Sequence, residues 1–208
     1  MIVKICGITN VEDARAAAEA GADILGFIFH ERSSRHVTPA QVAAITRELP
    51  AHVVRAGVFV NPAEEFVFEA ISSCGLNLLQ FHGAESAEFC VRFGLMTMKA
   101  FPMRDAAALA RLPEYKTDAW LLDAYSASQA GGTGETFNWD LAVRAREFGR
   151  PIFLAGGLTP ENVAEAILKV RPYAVDVSSG VEASPGRKDH QKVKAFIKAA
   201  KQAFSASV

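Results

Sequence analysis

Eight short apolar runs recur along the 208-residue chain, and this repetition restricts its fold more than any other feature. The runs begin 20 to 32 residues apart and are continuously apolar, as strands buried on both faces should be. Stretches with helical patterning separate them, and strands that alternate with helices predict a parallel sheet. The predicted strands are Ile2–Cys6, Ile24–Phe29, Val54–Val60, Asn77–Phe81, Thr97–Phe101, Ala119–Asp123, Pro151–Ala155 and Ala174–Val177.

Capping residues indicate where several of the intervening helices begin and end. Thr38 followed by Pro39 is typical of an N-cap with proline at the first helical position. Thr9 and Asn10 precede another helix, and Gly21 follows it. The predicted helices are Val11–Ala20, Pro39–Glu48, Pro62–Ser73, Ala84–Phe93, Ala106–Leu112, Asp140–Phe148, Thr159 to about Val170, and Asp189–Phe204.

Eight strand–helix units predict an α/β fold, a closed (βα)8 TIM barrel in one domain that spans residues 1–208. Sharing 208 residues among eight units leaves 208/8 = 26 per unit, which makes the barrel nearly minimal in length. The alternative is an open, doubly wound sheet, which usually carries GxGxxG after its first strand when it binds dinucleotides. Here the first strand runs into Cys6-Gly7-Ile8-Thr9, which lacks that pattern.

The charge balance and the amino-terminal sequence exclude several classes of function. The 22 Lys and Arg residues against 23 Asp and Glu give a net charge of −1, so nothing attracts nucleic acid or an anionic membrane. No apolar run approaches the roughly 20 residues of a membrane span. Met1–Cys6 is typical of a strand rather than a signal peptide, which predicts a cytoplasmic protein. Cys6, Cys74 and Cys90 lack the spacing of zinc ligands, and an odd number of cysteines in a cytoplasmic protein argues against a disulfide framework.

Polar residues and glycines follow most of the predicted strands. Active sites of this fold lie at the carboxyl ends of the strands, so this arrangement predicts a site there. The candidates are Lys4 and Cys6 on the first strand, His30 to His36 after the second, Asn61 after the third, Gln80, His82 and Gly83 at the fourth, Asp123 on the sixth, Gly156-Gly157 after the seventh, and Asp176 to Glu182 at the eighth.

The last two strand ends carry the features of a phosphate site. Gly156-Gly157 and Ser179-Gly180 allow backbone N–H groups to approach an anion closely, and helix starts nearby add a favourable dipole. The loops after strands seven and eight are the usual phosphate site of a barrel. Each motif alone is more often a simple turn, so the prediction depends on the pair.

Other residues permit more than one interpretation. Cys6 and Asp123 could act as a base and an acid, with Lys4 lowering the pKa of the thiol. Arg35 could bind a carboxylate or be a solvated loop cation. His82 could be a base, a metal ligand or structural, and no second ligand stands at metal-binding spacing. The segment Tyr125–Phe137, with Gly131 to Gly134, could close over a substrate or be a plain surface loop.

Motifs along the whole chain resemble those of the phosphoribosylanthranilate isomerase family. They are Lys4 to Thr9, Gly26 to Phe29, Ser33 to Val37, Gly57 to Asn61, Leu79 to Gly83, Gly131 to Phe137, Ala155 to Leu158, Asp176 to Glu182, Ser184 to Gly186, and Lys188-Asp189. One departure is Ser34, where the family commonly has proline; it leaves Arg35 in place.

The resemblance implies a TIM-barrel isomerase of tryptophan biosynthesis that acts by an Amadori rearrangement on a small phosphosugar. It implies that Asp123 is the general acid and Cys6 the general base, and that Arg35 contacts the anthranilate carboxylate. It places the phosphate at Gly156, Gly157, Ser179 and Gly180, lines the pocket with Gln80 and His82, and requires no cofactor or metal. We expect a monomer, with a homodimer as the alternative. Competing hypotheses are another phosphosugar barrel, such as indole-glycerol-phosphate synthase, and a barrel that binds phosphorylated ligands without chemistry.

Overall fold

A closed barrel of eight parallel strands forms the centre of the computed structural model, which describes residues 1–123 and 139–206. Each strand pairs in parallel with the next, and β8 pairs with β1 to close the barrel. The strands are β1 Ile2–Cys6, β2 Ile24–Ile28, β3 Val54–Phe59, β4 Leu78–Phe81, β5 Met96–Pro102, β6 Ala119–Asp123, β7 Ile152–Ala155 and β8 Ala174–Val177. The predicted fold class is therefore confirmed.

Helices follow the strands around the outside, and the described ones agree with the predicted order. They are α1 Val11–Glu19, α2 Pro39–Thr46, α3 Glu64–Cys74, α4 Ala87–Cys90, α5 Ala108–Arg111, α6 Trp139–Ala145, α7 Val163–Val170 and α8 His190–Ser205. The Asn10 side chain accepts the Asp13 N–H at the start of α1. Thr38 and Gln41 form a reciprocal capping box at α2, so both predicted caps are confirmed. The segment Tyr125–Phe137 lies outside the described residues.

Several helices are shorter than predicted: α7 begins at Val163 rather than Thr159, α2 and α6 end two and three residues early, and α4 and α5 are shorter for local reasons. Helix α4 begins only at Ala87 because Ser86 is its N-cap, while Glu85 accepts hydrogen bonds from backbone N–H groups of Asn61 and Gly83. Helix α5 ends at Arg111, and a 3-10 turn then runs through Pro113. Sequence periodicity alone did not reveal these side-chain contacts.

A small hairpin that the periodicity did not predict follows β8. Its strands are β9 Glu182–Ser184 and β10 Arg187–Lys188, which pair in antiparallel fashion after a 3-10 turn at Ser179–Val181. The Thr9 hydroxyl donates to the Gly186 carbonyl (2.6 Å), which ties the hairpin to the loop after β1.

The barrel interior is apolar over most of its depth and polar at the carboxyl ends of the strands. Alternate residues of each strand point inward, and their apolar members pack as one cluster. That cluster contains Ile24, Ala56, Leu78, Met98, Ala100, Ala119, Leu121, Phe153, Ala155 and Ala174. A larger cluster joins the outer strand faces to the helices. Within the described residues, no helix has both the length and the apolar character that a membrane crossing requires.

Candidate active site

A cavity of about 540 Å³ opens at the carboxyl ends of the strands, and all nine predicted site residues line it. Its polar lining comes from β1, the loop after β2, β4 and the loop after it, β6, the loop after β7, and β8 and the loop after it. Its lining comprises Cys6, Arg35, Gln80, His82, Asp123, Gly156, Gly157, Ser179 and Gly180, together with Ile28, Val58, Leu121, Ala155, Leu158, Asp176, Val177 and Ser178. The fold thus brings together residues that are up to 174 positions apart (180 − 6).

Cys6 lies at the end of β1 with only 6% of its surface exposed. Its register partner on β2 is Gly26, where an added Cβ would lie 2.8 Å from the Cys6 Sγ. A side chain at Gly26 would therefore displace the sulfur, so this glycine makes room for the thiol at the cavity wall.

A buried ion pair lies directly beneath Cys6. Lys4 is fully buried, and its Nζ lies 2.9 Å from Asp176 Oδ1 on the neighbouring strand β8. Burial raises the pKa of the Cys6 thiol, and the adjacent Lys4 ammonium lowers it by less, so the net shift is upward. Lys4 thus lowers the pKa of the thiol as predicted, but it does not bring that pKa below its ordinary value, because burial has the larger effect. Burial lowers the pKa of Lys4 itself, but Asp176 and Cys6 together raise it above its ordinary value.

Arg35 is held by a carboxylate rather than by solvent. Its Nε and Nη2 donate to Glu182 Oε1 (2.7 Å) and Oε2 (2.6 Å), and Lys188 Nζ also donates to Oε1 (3.0 Å). The hydrogen bond to Glu182 raises the pKa of Arg35. Burial raises the pKa of Glu182, but Arg35 and Lys188 outweigh it, so the pKa of this carboxyl is lowered. The interpretation of Arg35 as a solvated loop cation is wrong.

Asp123 and His82 form a second polar group at the mouth of the cavity. His82 Nε2 lies 3.2 Å from Asp123 Oδ2, and about a third of each side chain is exposed. His82 Nδ1 lies 3.4 Å from Gln80 Nε2. The Gln80 Oε1 is buried without a hydrogen-bond partner among the described residues. His82 therefore contacts the candidate acid, a proximity that its place in the sequence did not indicate.

The loops after β7 and β8 meet at the cavity. Gly156 and Gly157 have φ angles of +82° and +65°, which favour glycine. An added Cβ on Gly180 would overlap the backbone carbonyl oxygen of Leu158, so the two loops are in van der Waals contact only because Gly180 has no side chain. Helix α7 begins directly after the first of these loops, and its Asn162 side chain donates to the Gly157 carbonyl (2.9 Å).

Sequence reasoning assigned no role to Asp176, Ser178, Glu182 or Lys188. The position of Asp176 beside Lys4 was predictable from the strand pattern. Lys4 and Cys6 share one face of β1, and Asp176 points into the barrel from β8, the strand that pairs with β1. Glu182 and Lys188 meet Arg35 through a hairpin that no periodic signal marks. No cluster of three or more potential metal ligands occurs in the parts of the chain that the structure describes.

The closed barrel, the two glycine loops and the paired thiol and carboxyl define a TIM-barrel enzyme that acts on a small anionic ligand. The model of the N-(5′-phosphoribosyl)anthranilate (PRA) isomerase family matches residues 3–199. The chain belongs to this family. Its activity is the corresponding isomerisation in tryptophan biosynthesis.

Relatives support the assignment over nearly the full length. The N-(5′-phosphoribosyl)anthranilate isomerase of Geobacter sp. (strain M21) is 56% identical over 200 residues, covering 96% of this chain and 98% of its own. The Geobacter sulfurreducens enzyme is 54% identical over 199 residues, with coverage of 96% and 98%.

Solved structures agree in fold. Phosphoribosyl anthranilate isomerase from Thermotoga maritima superposes with a TM-score of 0.91 at 45% identity, covering 97% of this chain and all of its own. A structure of the same kind of enzyme in complex with reduced 1-(o-carboxyphenylamino)-1-deoxyribulose 5-phosphate gives 0.88 at 44% identity, with coverage of 97% and 100%.

Proposed function

We propose that Asp123 is the general acid and Cys6 the general base of an Amadori rearrangement carried out in this cavity. The substrate is N-(5-phosphoribosyl)anthranilate, and the product is 1-(2-carboxyphenylamino)-1-deoxyribulose 5-phosphate. One observation carries the proposal: a thiol and a carboxyl line the same 540 Å³ cavity, between the glycine loops and Arg35. We also propose a cytoplasmic location.

Two separate anion sites would orient the substrate. The phosphate lies at the N–H groups of Gly156, Gly157, Ser179 and Gly180, where backbone donors and the start of α7 favour negative charge. The anthranilate carboxylate lies at Arg35, and the ribose lies between them. Binding of the reduced product analogue by a related enzyme supports this class of ligand.

In the first step Asp123 donates its proton to the ribose ring oxygen. The C1′–O bond breaks, and the nitrogen lone pair forms a C=N bond, which leaves a Schiff base and the Asp123 carboxylate. His82, 3.2 Å from Asp123 Oδ2, is placed to donate from Nε2 to this new carboxylate. That hydrogen bond would stabilise the negative charge that Asp123 gains in this step.

In the second step the Cys6 thiolate removes the C2′ proton. The C2′–H electrons form the C1′=C2′ bond, the C=N electrons return to nitrogen, and the enolamine then tautomerises to the ketone. Burial keeps the thiolate scarce, but the raised pKa of Cys6 makes each thiolate a stronger base. The Lys4 ammonium stabilises the thiolate while it waits for the substrate.

Cys6→Ala and Asp123→Asn test the two roles. General acid–base groups contribute about 10²- to 10⁴-fold, so each variant should lose at least a hundredfold in kcat. Loss of substrate fluorescence would report turnover, and calorimetry should show that both variants still bind the reduced product analogue. Cys74→Ala removes a buried thiol outside the cavity and serves as the control, which should keep its kcat. Full turnover in either site variant would refute its role, and inactivity of the parent protein would favour a non-catalytic binding barrel.

The assembly state is a separate proposal. We propose a monomer in solution, with a homodimer as the alternative. A Thermotoga maritima relative is a dimeric enzyme for which monomeric forms were generated. Light scattering after size-exclusion chromatography distinguishes the two, and a mass near 22.4 kDa supports the monomer.

A further inference from the structure

Glu182 accepts two hydrogen bonds from Arg35, the residue that faces the substrate carboxylate in the proposed function. We propose that Glu182 is a positioning residue, which fixes the Arg35 guanidinium so that one edge is presented to the carboxylate of the ligand. The inference rests on the proposed function and adds a residue that does not itself touch the substrate.

The geometry of the guanidinium supports this role. A guanidinium has two edges that can each donate a pair of hydrogen bonds to a carboxylate. Glu182 occupies the Nε–Nη2 edge, at 2.7 and 2.6 Å. No described residue accepts from Nη1, and Arg35 lines the cavity. The Nη1–Nη2 edge therefore stays available for a second carboxylate.

Glu182 is itself held rigidly. It is buried, its Oε1 accepts from Lys188 Nζ (3.0 Å) and lies 3.4 Å from the Gly186 N–H, and all three residues belong to the hairpin β9–β10 or its turn. The Lys188 N–H in turn donates to Asp13 on α1 (2.9 Å). Glu182 is thus held within the hairpin by Lys188 and Gly186, and the hairpin is hydrogen-bonded to α1.

The stem of Arg35 is fixed as well. An added Cβ on Gly7 would lie 2.6 Å from the Arg35 Cδ, so the arginine stem crosses directly over this glycine. Gly7 follows Cys6, so the arginine stem passes next to the candidate base, and both residues line the cavity.

Glu182 does not cancel the charge that attracts the ligand. Arg35 and Lys188 contribute two positive charges to Glu182's one negative charge, which leaves the cluster at +1. Glu182→Gln raises this to +2, which would strengthen attraction to an anion, but the Arg35 side chain is 22% exposed and solvent screens the gain. Glu182→Asp keeps the charge and shortens the reach. Loss of carboxylate binding in both variants would therefore report orientation rather than charge.

Two ligands separate positioning from general structure. One is the reduced product analogue, and the other is the same molecule without its ring carboxylate. We expect Glu182→Asp and Glu182→Gln to weaken binding of the first about tenfold and of the second less than twofold, a typical size for coupling between contacting groups. The Michaelis constant should rise while kcat stays within about twofold of the parent value, because the weakened contact binds the ground state and the transition state equally. Glu88→Gln, an exposed glutamate on α4, is the control.

A double-mutant cycle completes the test. In an Arg35→Ala background, Glu182→Asp should have no further effect on the carboxylate-bearing ligand. Equal weakening of both ligands, unchanged or tighter binding of the carboxylate-bearing one, or persistence of the effect without Arg35 would overturn the inference. Glu182→Asp carries the test alone if Glu182→Gln does not fold. Parent protein that discriminates the two ligands but shows no turnover would refute the proposed function while leaving the positioning role intact.

Discussion

Two buried lysine–carboxylate pairs lie near Cys6, and the free energy needed to bury their charges indicates that they have a role other than stability. Lys4 with Asp176 and Lys188 with Glu182 are both shielded from water at the base of the cavity. A buried ion pair is on average no more stabilising than apolar residues of the same volume. Stability therefore does not explain their presence, whereas an effect on the neighbouring thiol does. Both ammonium groups lower the pKa of Cys6, against the larger effect of burial and the opposing charge of Asp176.

The double variant Lys4→Met, Asp176→Asn tests this effect. The attraction of Lys4 for the thiolate exceeds the repulsion by Asp176, so removing both charges should raise the pKa of Cys6 further. At pH 8 the alkylation of Cys6 by iodoacetamide should then slow about tenfold for each unit of the shift. Removing both partners leaves no unpaired buried charge, which keeps the fold intact. Peptide-resolved mass spectrometry measures the rate, with Cys74 of the same molecules as reference. An equal or faster rate at Cys6 would contradict the charge assignment.

Two loops that join strands to helices build the phosphate end of the site. The loop after β7 and the 3-10 turn after β8 approach so closely that a single methyl group at Gly180 would overlap the Leu158 carbonyl oxygen. The clash involves backbone, so no rotamer change relieves it. The elements are thereby locked together at the place where the substrate phosphate would bind.

Gly180→Ala should therefore separate these loops. We expect affinity for the reduced product analogue to fall more than tenfold, and the free energy of unfolding to fall by about 1–3 kcal/mol, as for other overpacked sites. Gly94→Ala is the control: Gly94 has a φ of +70° with no atom within 4 Å of an added Cβ. It should cost about 1 kcal/mol in stability without changing affinity. Calorimetry and urea unfolding give both quantities, and unchanged affinity of Gly180→Ala would rule out tight loop contact.

For the whole molecule, features that depend on residues close together in the sequence were predictable, and contacts between distant residues were not. Strand order, helix order and the caps at Asn10 and Thr38 were predictable because each depends on neighbouring residues. The nine candidate residues also met at one cavity, since carboxyl ends of parallel strands share one edge. Contacts such as that between Arg35 and Glu182, 147 positions apart, have no local signal. The upward pKa shift of Cys6 was equally hidden, because burial depends on packing from every strand.

Asp13 and Glu182 fasten the carboxyl-terminal hairpin and α8 to the first two units, and both have lowered pKa values. Burial raises the pKa of Asp13, but hydrogen bonds from the Lys188 backbone, Asn10 and His190 (2.8 Å to Nε2) outweigh it. A carboxyl whose pKa is lower in the folded state stabilises the fold at pH values above its pKa in the unfolded chain. This contribution disappears as the pH falls through the pKa of the carboxyl in the folded protein. The ordinary values are 3.8 for Asp13 and 4.5 for Glu182. We therefore expect constant stability from these groups above pH 5 and a decline below pH 4.5.

Asp13→Asn isolates one of these contributions, because asparagine still accepts the Lys188 N–H but does not titrate. At pH 7 the variant should be less stable than the parent, since it lacks the charge that His190 and the backbone N–H favour. As the pH falls below 3.8, the parent protonates Asp13 and loses the same advantage, so the two unfolding free energies should converge. Urea unfolding at half-unit steps from pH 7 to pH 2.5 measures the difference. A difference that stays constant or widens toward low pH would mean that the Asp13 charge does not hold the barrel ends together.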